Sequence, residues 1–210
     1  MPEFQLDKES IEVKFVRPEL LTHPHIPGAL AGVNPRTIMG KEWWDDMRKG
    51  AYEQNNGHCW ACGGYSGDDP YEPWLEAHEC YELNYQKRTM TFKEVVALCH
   101  SCHCFIHSGR MWAMYTEGRI PKEKLEHVLD RGMKILKDAG LKPFIYTKVV
   151  QYMLQGLGEA KALWMARFVD KLKVPPRGNL LKMWRLVFEG RAYYTVRTSK
   201  EWKEEPNEPG

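Results

Sequence analysis

No run of about 18 consecutive apolar residues interrupts the 210-residue chain, and a bilayer-spanning helix needs roughly 20 of them. The opening residues, MPEFQLDKES, have neither the basic start and apolar centre of a secretory signal nor the arginine-rich bias of a transit peptide. Cysteine is missing on both sides of residues 59 to 104, so the six thiols lack the spread of a secreted disulfide framework. Together these absences predict a cytoplasmic protein in a reducing compartment. No segment repeats at a fixed period, which excludes a solenoid or propeller. Charge of one sign is also lacking overall: 30 basic residues face 28 acidic ones, for a net +2. The distribution is uneven, however. Residues 1 to 120 carry 12 basic and 17 acidic side chains, residues 161 to 200 carry 10 and 2, and the last ten residues return to −3. The basic stretch can attract a phosphate backbone, and a solvated helix face accounts for it equally well.

What is present is a chain of ordinary globular composition, 43% apolar and 28% charged, with eight tryptophans to anchor short elements. Its length suits one generous domain or two small ones. Residues 1–39 hold five prolines and few periodic apolar positions, and are expected to form an extended arm that wraps the domain. From Gly40, Trp43, Met47 and Ala51 recur at helical spacing, with a left-handed cap expected at Asn56-Gly57. A tight knuckle, HCWACGG, precedes two strand-like stretches and a short helix, SCHCFIHSGRM, expected to end near Gly109. Leu125, Val128, Leu129, Gly132, Met133 and Leu136 mark a further helix that stops at Gly140. Helices are expected near 145–155 and 158–172, and MWRLVFEGRAYYTV predicts a β-hairpin turning at Glu189-Gly190. The fold class is therefore α+β. Its expected divisions are the arm, a zinc-binding domain at 40–112, a helical region ending in the hairpin at 113–200, and a disordered tail at 201–210.

Cys59-x-x-Cys62 and Cys99-x-x-Cys102 are the strongest chemical signal. Two such knuckles supply four thiolates, the tetrahedral set that closes a structural zinc site and leaves no position for substrate. A second group is His78, His103 and His107. On a helix, His103 and His107 share a face at i, i+4, and His78 on a strand can complete an open three-ligand site for a divalent metal, Mg²⁺, Mn²⁺ or Zn²⁺. A second structural zinc using Cys80 or Cys104 with two of these histidines is an alternative, as are histidines that only pack. His100, inside its knuckle, should point elsewhere.

The string CWACGG … LEAHECYEL … VVALCHSCHCFIHSGR resembles the HNH endonuclease superfamily, the ββα-metal fold, in its zinc-knuckle form. It is similar to a bacterial and phage branch with the pattern L-E-x-H-E, then A-L-C-x-x-C-H, then H-x-G. The resemblance covers about residues 40 to 112. It implies a zinc-stabilised ββα-metal core in which His78 is the strand ligand and His103 and His107 the helix ligands of a catalytic divalent metal. The general base that usually follows the strand ligand is a histidine; here it is Glu79. The asparagine that usually braces the hairpin falls near Glu94. Glu79 can act as a base, join the coordination sphere, or accept a hydrogen bond from a ligand imidazole. Glu76, on the opposite strand face from Glu79, reads as an exposed or salt-bridged carboxylate.

The resemblance also implies DNA as partner, with the scissile phosphate at the metal. Candidate phosphate contacts are Lys87 and Arg88 in the hairpin loop, Arg110 after the helix, and a distal stripe of Arg167, Lys171, Lys173 and Arg177, continued by Lys182, Arg185 and Arg191. The leading expectation is metal-dependent cleavage of DNA. The others are a DNA-binding module of the same fold without hydrolysis, and a factor that docks on a protein partner, such as a phage protein aimed at a host enzyme.

Overall fold

The computed structural model describes residues 12–23, 26–27, 30, 32–84, 86–142, 184–195 and 202–204. The helices expected at 145–155 and 158–172 lie outside them, as do Arg167, Lys171, Lys173, Arg177 and Lys182.

Asn34 opens helix α1 (Pro35–Met39) with a capping box: its side chain accepts from Thr37 N while the Thr37 hydroxyl accepts from Asn34 N. Gly40, at φ 87°, then turns the chain into α2 (Lys41–Gln54). Lys41, Asp45 and Arg48 form a ladder of ion pairs on the outer face of α2, and the inner face carries Trp44, Met47 and Ala51. Left-handed Asn56 and Gly57 end the turn after it, as the sequence predicts. Asn55 is fully buried and satisfied: its amide accepts from Lys14 N and Phe15 N and donates to Phe15 O. The arm is thereby stitched to the domain. Arg17 continues the seam, with its N–H on Trp60 O and its guanidinium paired bidentately with Glu94 at 2.8 and 3.0 Å.

Strands β1 (Leu75–Asn84) and β2 (Thr89–Cys99) form a long antiparallel hairpin whose register shifts between Cys80 and Tyr81. Helix α3 (His100–Ile106) leaves β2 without a loop, and Asp69 accepts its second N–H from a remote turn. The helix breaks at His107 and continues as α4 (Ser108–Thr116), so it does not stop near Gly109 as expected. Amphipathic α5 (Lys122–Asp138) buries Leu125, Val128, Leu129, Gly132 and Leu136 against α3 and the knuckles.

β3 (Arg185–Phe188) and β4 (Arg191–Thr195) turn at Glu189 and Gly190, both at positive φ. β3 runs parallel to β2, and β5 (Trp202–Glu204) pairs with β4, giving one sheet of order β1-β2-β3-β4-β5. Two sequence expectations change here. The C-terminal hairpin extends the β1–β2 sheet across the expected boundary at 112, and part of the expected tail is a strand. Backbone pairing along β2 drives the first, because Met90 and Leu186 are both fully buried at the shared register. A second core, with Trp43, Phe92 and Phe188 in mutual edge contact, covers this part of the sheet. Among the described residues, no helix is long and apolar enough to cross a membrane.

Candidate metal centre

Cys59, Cys62, Cys99 and Cys102 converge, with one sulfur from each within 4.8 Å of the others. The first knuckle is shaped by backbone bonds: Gly63 N donates to Cys59 O, and Cys59 N to Gly64 O. The second knuckle is the junction of β2 and α3, so the strand end and first helical turn deliver its two sulfurs. Cys62 and Cys99 sulfurs stand 3.9 Å apart, close to the roughly 3.8 Å edge of a tetrahedron with bonds of about 2.3 Å. The thiols compete for protons. Hydrogen bonds from Cys102, then Cys59 and Cys99, draw Cys62 below its ordinary value, while bonds to Cys59, Cys62 and Cys99, with burial, push Cys102 up. A metal ion such as zinc, replacing the shared protons, resolves that conflict. Arg131 donates to Cys62 Sγ at 3.6 Å and sets a positive charge beside the sulfurs.

His78, His103 and His107 form the second group, again with one ring nitrogen from each within 4.8 Å of the others. Their rings meet edge to face with centroids 4.8 to 5.4 Å apart. His78 comes from the middle of β1, and the other two from one face of α3 and its end. Burial, reinforced by His23, His103 and His107, holds the His78 pKa well below the ordinary value, so its ring is neutral at pH 7. Its Nε2 is buried with no hydrogen-bond partner. A buried, unpartnered ring nitrogen on a residue grouped with two other imidazoles fits a metal better than it fits a packed core.

Glu76, expected to be an exposed or salt-bridged carboxylate, lies beside this site and is paired with two histidines. One carboxylate oxygen accepts from His100 Nδ1 at 2.6 Å and the other accepts from His103 Nδ1. Burial alone would raise its pKa, but the bonds from His103 and His100 outweigh it and hold the group down at about 2. The signal was the strand period: Glu76 and His78 are two apart and share a face. Glu79, one residue on, takes the other face. Its Oε2 accepts from the Tyr81 hydroxyl at 3.0 Å, its Oε1 is buried without a partner, and it is not part of the imidazole group. The position near the usual asparagine, Glu94, holds Arg17 of the arm.

Cys104 and Cys80 stay outside both groups. Cys104 Sγ lies 3.4 Å from His100 Nε2, which does point away from its knuckle, and Cys80 is buried beside Glu94 and Arg17. His23 is a neighbour that no local signal announces. Its ring packs 5.1 Å from His78, and its Nε2 accepts from the N–H of Tyr81, 58 residues later, where β1 is an edge strand.

Of the candidate phosphate contacts, Arg110 sits in the first turn of α4, three residues after His107, and is exposed. Lys87 and Arg88 lie at the hairpin tip, beyond Asn84 and about 20 Å from His78 along β1. Arg185 and Arg191 are in β3 and β4, the latter facing Glu204 at 3.5 Å. Comparison of the chain with protein-family models, with curated proteins and with solved structures gave no match.

Proposed function

We propose that the chain is an HNH-like, metal-dependent endonuclease that cleaves phosphodiester bonds in DNA, with a four-cysteine structural zinc beside the three-histidine site. The observation that supports this reading is the convergence of His78 from the strand with His103 and His107 from the helix, one of them with an orphaned buried nitrogen. A divalent ion bound there would polarise the phosphoryl group and stabilise the leaving oxygen. The chain's own residues do the rest. His78, His103 and His107 would hold the ion through ring-nitrogen lone pairs, Glu76 would fix the His103 tautomer, and Arg110 would offer a cation for a flanking phosphate.

A second reading, a DNA-binding protein of this shape without hydrolysis, is favoured by Glu79, whose carboxyl is engaged by Tyr81 on the other strand face. One experiment separates the two. Supercoiled plasmid incubated with the protein and Mg²⁺ or Mn²⁺ should be nicked, and His103→Ala should lower the rate at least about a hundredfold while the zinc content stays at one. Retardation of DNA in a gel without cleavage in any divalent metal would instead select the binding module.

A further inference from the structure

Four side chains lie in one continuous run of contacts that starts at Cys104, outside both metal-type groups, and ends at His103 of the histidine group. Cys104 Sγ meets His100 Nε2 at 3.4 Å, His100 Nδ1 meets one oxygen of Glu76 at 2.6 Å, and the other oxygen meets His103 Nδ1. A carboxylate only accepts, so with neutral rings both imidazoles donate to Glu76 from Nδ1. His103 is then left with Nε2 as its lone-pair nitrogen, the tautomer a metal ligand needs. Cys104 Sγ lies 3.4 and 3.9 Å from the two ring nitrogens of His100 and packs against that ring. His100 is one of the two residues enclosed by the second cysteine pair, between Cys99 and Cys102.

We propose that Glu76 is a positioning residue that couples the two sites: His100, held in place by the filled four-cysteine site, anchors the carboxylate that aims His103 at the second ion. The inference rests on the reading that the three histidines hold a divalent metal, and not on whether that metal cleaves DNA. The physical basis is that a carboxylate with one donor can pivot about it. With two donors from different positions on α3, Glu76 has both oxygens fixed. Its side chain is only a quarter exposed, so little water competes for them.

The test uses full-length protein holding one equivalent of zinc in the cysteine site, titrated with Co²⁺ and followed by visible ligand-field absorption. Glu76→Gln keeps the shape but turns an amide N–H toward one of the two ring donors. It should weaken Co²⁺ binding roughly tenfold to a hundredfold. His100→Ala, which removes no member of either ligand group, should weaken it at least about threefold. The double variant should be no weaker than Glu76→Gln alone, and His100→Asn, which keeps a donor at the Nδ1 position, should recover the affinity. Retained zinc and an unchanged near-ultraviolet spectrum show that each variant folds. Wild-type affinity in His100→Ala, multiplied losses in the double variant, or no second ion bound by the wild type would each overturn the coupling. Plasmid nicking reports separately: a coupled cycle without cleavage removes the nuclease reading and leaves this inference standing.

Discussion

Glu76 and Glu79 show how much one position along a strand decides. Facing α3, Glu76 gains two N–H donors and its pKa falls to about 2. Facing away, Glu79 gains one hydroxyl, and burial raises its pKa despite the opposing pull of Tyr81 and Arg36. The consequences for stability have opposite signs. The contribution of Glu76 is present above the ordinary carboxylate value and is lost as pH falls through that value toward about 2. The contribution of Glu79 is full below the ordinary value and is lost as pH rises through its elevated one. Glu79→Gln, which can still accept from Tyr81, should therefore raise the urea midpoint at pH 8 and leave it unchanged near pH 4. An equal shift at both pH values would mean that the carboxyl's ionisation is not what burial penalises. The same variant bears on mechanism: nicking that survives Glu79→Gln removes the residue from any role as base.

At the scale of elements, the junction of α3 and α5 depends on a missing side chain. A Cβ on Gly132 would fall within the ring of Phe105, which is itself almost fully buried. Ordinarily Gly→Ala inside a helix gains about 1 kcal/mol. Here overpacking should cost more, roughly 1–3 kcal/mol, so Gly132→Ala is expected to destabilise by denaturant melting. Adding Phe105→Leu should restore part of the loss. Such a site is half legible: helical spacing places Gly132 on the apolar stripe of α5, but not what lies opposite it. The same limit recurs elsewhere. Local chemistry announces α2, α5, the Glu189-Gly190 turn, both cysteine pairs and the i, i+4 histidines, because each rests on neighbours within a few residues. Periodicity also puts Glu76 and His78 on one strand face, yet only the placement of α3 brings His100 and His103 within reach of that carboxylate. The pairing of Glu94 with Arg17, 77 residues away, and the seat of His23 against His78 are tertiary facts with no sequence period behind them. Strand β5 hides for a different reason. Trp202–Glu204 is a three-residue edge whose order comes from pairing with β4, within a segment of acidic, proline-bearing composition.

For the molecule as a whole, the four-cysteine site is the knot through which separate parts of the chain are tied. Cys59 and Cys62 follow α2, Cys99 ends β2 and Cys102 lies in α3, and three of the four are essentially without solvent exposure. The arm enters the same knot through Arg17 on Trp60 O, and α5 through Arg131 on Cys62. Without a metal, four thiols must share protons in a buried cluster, and the closure of both knuckles loses its source of free energy. The aromatic core around Trp43, Phe92 and Phe188 contains no metal-type residue, but it is built on β2, the strand that ends in the second knuckle. Both cores should therefore be lost together. A chelator strong enough to strip the thiolates should abolish the near-ultraviolet circular dichroism in one transition that tracks zinc content, and restored zinc should recover it. On the proposed nuclease reading, mild EDTA that removes only an exchangeable ion from the histidines should leave that spectrum unchanged and stop nicking. Two separated transitions under the strong chelator would show instead that the second core, with β3 and β4, stands without the metal-bound half.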